Sequence, residues 1–153
     1  MKIRHLSINN SRGIKTLDWK IKSDLVCLIG PGDSRKSTVL KAIEYVLYPY
    51  HSLNLFDYDF YNCEIKKPII ISVTITDLPE EFWSDTKYGG YLRSIDNNGE
   101  IIDEPEHDHD INTALTIRLT VKEDLEPQWT IYNERTEELE EIKIISSSDR
   151  AAV

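Results

Sequence analysis

Eight consecutive residues, Gly30-Pro31-Gly32-Asp33-Ser34-Arg35-Lys36-Ser37, carry the chemistry most plainly legible in this chain. They fit G-x-x-x-x-G-K-[ST] at every position but one: Arg35 stands where the second glycine belongs. A loop of this kind turns backbone N–H groups inward at the start of a helix and so makes an anion site out of main chain alone. On this spacing Lys36 reaches the β- and γ-phosphates of a nucleotide and the Ser37 hydroxyl ligates Mg²⁺, with Thr38 beside the α-phosphate. Glycine lets backbone approach phosphate closely and relaxes dihedral limits. Arginine at 35 either points outward and adds charge, or lies across the cradle and blocks it.

The elements on either side must hold that loop. Before it, Leu25-Val26-Cys27-Leu28-Ile29 is apolar at every position, which reads as a strand covered on both faces in the middle of an α/β sheet. After it, Val39, Leu40, Ile43, Val46 and Leu47 form the apolar stripe of a helix that Pro49 ends. Residues 2–9 and 14–22 read as two strands joined by a turn at Asn10-Ser11-Arg12-Gly13. Residues 50–67 are aromatic and irregular. Residues 68–76 alternate, with Ile69, Ile71, Val73 and Ile75 on one face and Ser72, Thr74 and Thr76 on the other. A short helix is expected from Leu78 to Trp83, and a hairpin over 90–102 turning at Asn97-Asn98-Gly99. Leu115 to Val121 and Trp129 to Tyr132 read as an antiparallel pair, with a last strand near 142–146. The tail from Ser146 to Val153 reads as a chain cut before its next element. The whole is expected to be one partial domain: a P-loop core over 1–50, an antiparallel part over 51–146, and the tail.

Composition bounds the rest. The chain has 153 residues, 40% of them hydrophobic, which suits one globular core. The net charge of −9 is uneven: residues 1–50 hold 9 Lys/Arg against 4 Asp/Glu, and residues 51–153 hold 9 against 23. The basic part coincides with the loop, as a polyphosphate site requires. The acidic remainder argues against wrapping nucleic acid with these residues alone. Cys27 is expected to be a small buried hydrophobe, and two cysteines without metal spacing fit a reducing, cytoplasmic setting. No apolar run approaches the ~20 residues of a membrane span. His107-Asp108-His109-Asp110 is the one cluster with metal-ligand chemistry, and its acidic, loop-like flanks favour a solvated loop.

Two stretches resemble a known family. Ile8-Asn9-Asn10-Ser11-Arg12-Gly13-Ile14-Lys15-Thr16-Leu17 and Leu28 to Ile43 are similar to the opening of RecF- and SMC-type ABC ATPases, nearest to the OLD family. That opening is a strand, an N-F-R-G turn, a second strand, a loop ending G-K-S-T and a helix with A-I. Here Ser11 replaces the phenylalanine and Arg35 the glycine. The resemblance covers the first third of the chain. It implies an α/β P-loop NTPase fold, the N-terminal lobe of an ABC-type domain with a mixed parallel and antiparallel sheet. It implies ATP and Mg²⁺ as ligands and Arg12 flanking the nucleotide; Asp57 and Asp59 read as turn or helix-cap residues, with sensing of the γ-phosphate by Asp59 the lesser reading. OLD-family members often join such a domain to a Toprim nuclease and act in DNA repair or phage defence, so DNA contact through a full assembly is implied too. No LSGGQ-like signature and no apolar run ending Asp-Glu occur, so hydrolysis would need a head-to-tail second copy or the remainder of a longer chain. A protein-interaction module with a silent loop is the rival from another class. A small P-loop kinase is disfavoured by the two strands preceding the loop.

Overall fold

Strict alternation of side chains lays out the sheet. The computed structural model describes residues 1–32, 34–79, 82, 88–96, 98–103, 111–135 and 143–153. Among these, β1 (Lys2–Ser11), β2 (Ile14–Lys20), β3 (Ile69–Thr76), β4 (Arg93–Asp96), β5 (Ile101–Ile102), β6 (Ile111–Val121), β7 (Pro127–Tyr132) and β8 (Lys143–Ile144) form one eight-stranded sheet. Its order is β2-β1-β3-β6-β4-β5. β7 runs along the same edge of β6 as β4, further toward the C-terminal end, and β8 follows β7.

The register aligns apolar residues into cross-strand rows. Trp19, Leu6, Val73, Ile117 and Ile131 make one row, and Leu17, Ile8, Ile71, Leu119 and Trp129 the next. Most of these side chains are fully buried, and burying each aliphatic one contributes about 1.5–3 kcal/mol. On this face lies the helix after the loop, α1 (Lys36–Val46), which buries Ala42, Tyr45 and Val46. Its stripe is rotated from the expected one: Leu40 is 60% exposed, while Tyr45 faces inward, where its carbonyl accepts from Trp129 Nε1 at 3.1 Å. The opposite face carries polar rows, Asp18-Ser7-Ser72-Arg118-Thr130 and Lys20-His5-Thr74-Thr116-Tyr132. There Thr74 and Thr116 share a hydroxyl hydrogen bond at 2.9 Å, and the Arg118 guanidinium lies over the Tyr132 ring.

Two expectations are corrected. No strand forms over 25–29: the backbone there is irregular, with Leu25 and Ile29 81% and 92% exposed and Cys27 exposed as well. A strand of that composition is held by neighbours on both edges and cover on both faces, and no described strand lies beside it. Every pairing among the described strands is antiparallel, so the antiparallel layer of the expected mixed sheet is present and its parallel layer is not among them. The tail carries a short helix, α2 (Ser147–Ala152), whose N-cap Ser146 accepts from the Asp149 amide at 3.1 Å. The helix expected over 78–83 and the His107–Asp110 cluster lie largely or wholly outside the described residues. No described helix is long and apolar enough to cross a membrane.

Candidate phosphate-binding loop

The loop is built around the Lys36 ammonium. Lys36 opens α1, and its chain folds back so that Nζ donates to the Gly30 carbonyl at 2.7 Å, the Pro31 carbonyl at 2.7 Å and Ser34 Oγ at 2.8 Å. The Ser34 amide and hydroxyl both close onto the Pro31 carbonyl, at 3.2 Å and 2.8 Å. All the oxygens around the ammonium are neutral, and no carboxylate pairs with it among the described residues. A cation so held, at a helix N-terminus, presents unbalanced positive charge to an incoming anion. The first glycine is required by space: a Cβ on Gly30 would meet Ser34 Oγ at 2.6 Å. Gly32 meets nothing within 4 Å, so it carries no such requirement. Ser37 is exposed in the first turn of α1 with Thr38 half-buried behind it, and Asp33 lies outside the described residues.

Arg35 caps α1 with φ 61° and ψ 18°, the left-handed conformation that glycine adopts freely. The loop therefore keeps the backbone shape of the glycine motif at a cost of about 1–2 kcal/mol for the arginine. The side chain leaves the loop and lies along the β1–β2 turn at Gly13. Arg35 and Tyr61 then share a groove of about 360 Å³ with residues 13–17.

Arg12 sits in that same turn with φ 47°. Its Nε donates to Asp59 Oδ1 at 2.7 Å, its terminal nitrogen donates to the Tyr45 hydroxyl at 3.1 Å, and its own amide donates to the Asp59 carbonyl at 2.7 Å. Asp59 is 1% exposed; its Oδ1 also accepts from Tyr45 at 3.3 Å and its Oδ2 from the Phe56 amide at 3.1 Å. Burial works to lower the Arg12 pKa, but the Asp59 hydrogen bond and the neighbouring charges outweigh it, and the net shift is upward. Burial, then the Asp59 charge, pushes the Tyr45 phenol up to about 12. Both oxygens of Asp59 are thus committed to the fold, in keeping with its reading as a turn or cap residue rather than a nucleotide sensor.

The model of the AAA ATPase domain matches residues 1–152. The chain belongs to that family. A solved SMC ATPase structure, from work on ATP-driven dimerization and DNA-stimulated activation, is similar in fold, with a TM-score of 0.56 at 13% identity. The match covers 98% of this chain and 75% of the other. No curated protein matches the sequence. The fold is thus that of a P-loop NTPase, of the RecF/SMC-like kind.

Within this AAA ATPase domain the structure brings Gly30, Pro31, Ser34, Arg35 and Lys36 into one turn at the head of α1, with Ser37 and Thr38 following. It sets Arg12 beside α1 through Asp59 rather than free at the surface. Three partners escape sequence reasoning: Gly13, Tyr45 and Asp59. The first is a glycine in a turn, where conformation is the usual explanation. The other two sit 33 and 47 residues from Arg12, with no spacing to join them. Among the described residues no group of three His, Cys, Asp or Glu side chains gathers for a metal ion.

Proposed function

We propose that residues 30–38 hold the phosphates of ATP, with Lys36 on the β- and γ-phosphates and Ser37 on Mg²⁺, and that Arg12 flanks the nucleotide from the adjoining turn. The observation that carries this is the Lys36 ammonium, held in the loop by three neutral oxygens with no carboxylate among the described residues to balance it. Tight clearance at Gly30 and the preserved left-handed backbone at 35 fit a cradle that closes on an anion. Mg²⁺ supplies charge neutralisation on the phosphates when bound. The residues of this chain bind and orient: it has no water-positioning carboxylate in an Asp-Glu run and no signature segment, so it is a binding lobe and not a complete hydrolase.

In this proposal two such lobes close head to tail over nucleotide, or one closes against further residues of a longer chain, and the closure drives work on DNA in repair or phage defence, in the cytoplasm. The likeness to an SMC ATPase associated with ATP-driven dimerization and DNA stimulation supports the assembly, and the resemblance to OLD-family openings supports the setting. Titration of a fluorescent ATP analogue with Mg²⁺ tests the core of it. Lys36→Ala is expected to weaken binding by at least roughly tenfold. Equal binding by wild type and variant would leave the loop silent and favour a protein-interaction module.

A further inference from the structure

The arginine in the loop and the glycine in the β1–β2 turn are made for each other. A Cβ placed on Gly13 would lie 2.7 Å from Arg35 Nε, 3.0 Å from its Cδ and 3.2 Å from its Cγ. Three successive atoms of one side chain therefore run across the bare face of Gly13, and a methyl group there would have to displace the whole length of the arginine rather than its tip. Conformation does not explain the glycine: the positive-φ glycine among the described residues is Gly99, while in this turn the left-handed dihedrals fall on Asn10 and Arg12. Gly13 takes a backbone that any residue adopts. What it supplies is clearance.

Arg35 is exposed, and its backbone sets where its side chain starts. Its φ and ψ are fixed in the left-handed region by the turn that starts α1, where its carbonyl accepts from the Val39 amide at 3.1 Å. That fixes the direction in which Cβ leaves the backbone, and the turn at Gly13 stands in that direction. The turn cannot yield easily, because Arg12 is tied to Asp59 through both amide and guanidinium, and Ser11 bridges to Phe60. A side chain on residue 13 would displace Arg35 from its place on the turn, and one outlet runs back over the loop, toward the oxygens that surround Lys36. That outlet spoils the anion site.

We propose that Gly13 is a positioning residue of the triphosphate site, acting through Arg35: it parks the arginine on the β1–β2 turn and so keeps the cradle at 30–36 open although that loop lacks its second glycine. The proposal rests on the assignment of residues 30–38 to ATP made above. It makes the two positions interdependent: a side chain at 13 is expected to disturb the loop when Arg35 is present and not when residue 35 is glycine.

A double-mutant cycle on the full 153-residue chain tests this, using a fluorescent ATP analogue with Mg²⁺ and reading affinity beside thermal stability. Gly13→Ala is expected to weaken binding by roughly tenfold in the wild-type background, and Gly13→Ala/Arg35→Gly to bind within about twofold of Arg35→Gly, whatever the affinity of Arg35→Gly itself. If Gly13→Ala fails to fold, a folded double variant that binds upholds the proposal and an unfolded one overturns it. Unchanged binding by Gly13→Ala, or a double variant as weak as Gly13→Ala, also overturns it while leaving the ATP assignment standing. Wild type that binds no more analogue than Lys36→Ala overturns both.

Discussion

Arg12 Nε lies 2.7 Å from Oδ1 of Asp59, a carboxylate that solvent barely touches, and the two residues are 47 positions apart in the chain. This contact ties the β1–β2 turn to the irregular segment after α1, and Tyr45 adds α1 itself to the knot. Removing the guanidinium strands a buried carboxylate on one phenol and one amide. Because Arg12 is about one-third exposed, solvent screens part of the loss, and Arg12→Ala is expected to cost about 1–3 kcal/mol in urea unfolding. Adding Asp59→Asn is expected to recover part of that, since a buried amide costs less than an unpaired charge. A double variant no more stable than Arg12→Ala would refute the account.

Tyr45 gives the same knot a pH signature. Its phenol is raised from an ordinary 10 to about 12, first by burial and then by the Asp59 charge, so the folded state favours the neutral form. The folded state therefore holds the proton more tightly than the unfolded one between those values, and stability falls as pH rises through them. The contribution is complete below the ordinary phenol pKa and fades toward pH 12. Unfolding free energies of wild type and Tyr45→Phe, compared at about pH 9 and about pH 11, are expected to show a smaller alkaline loss in the variant. Parallel loss in both would contradict it.

The pattern of the sheet was legible because alternation is local: Ile69 to Thr76 states both faces of β3 in eight residues, and the register follows once β1 and β6 do likewise. The loop was legible because its spacing is itself the mechanism. The segment 25–29 misled because composition reports what a strand needs, cover on both faces, and not whether that cover is among the described strands. The apolar stripe of α1 leaves out Tyr45, whose hydroxyl meets Arg12 and Asp59 while the residue is buried. The cap of α2 has the pattern Ser146-x-x-Asp149, but no long apolar stripe follows it to mark a helix. Arg35 shows the limit most clearly: its left-handed backbone and its resting place on Gly13 depend on two segments that sequence distance does not join.

The left-handed conformation of Arg35 predicts an unusual order of tolerance at that position. Asparagine visits this region readily, whereas a β-branched residue is a strong outlier there. Arg35→Asn is expected to match wild type in urea midpoint, and Arg35→Val to lose about 1–2 kcal/mol. On propensity within a helix the two would differ little, so equal stability of the two variants would mean that residue 35 is not held in the left-handed turn.

Arg150 closes the structure at its other end. It is 4% exposed with no carboxylate partner among the described residues, and its guanidinium donates to the carbonyls of Tyr48 at 2.8 Å, Tyr50 at 2.9 Å and Ile145 at 2.8 Å while lying 4.1 Å from the centre of the Trp129 ring. Burial lowers its pKa, yet a guanidinium remains charged at any ordinary pH, so the charge is balanced by the carbonyl dipoles of Tyr48 and Tyr50, just past the end of α1, and of Ile145. A planar fork suits three carbonyls in different directions, and a single ammonium does not. Arg150→Met keeps the apolar stem and orphans all three acceptors, at an expected cost of about 2–4 kcal/mol. Arg150→Lys is expected to fall between, and in both variants the amides of α2 are expected to exchange faster while those of β1 and β3 keep their protection. A lysine variant that equals wild type in unfolding and in exchange would show that the three carbonyl contacts do not hold α2 in place.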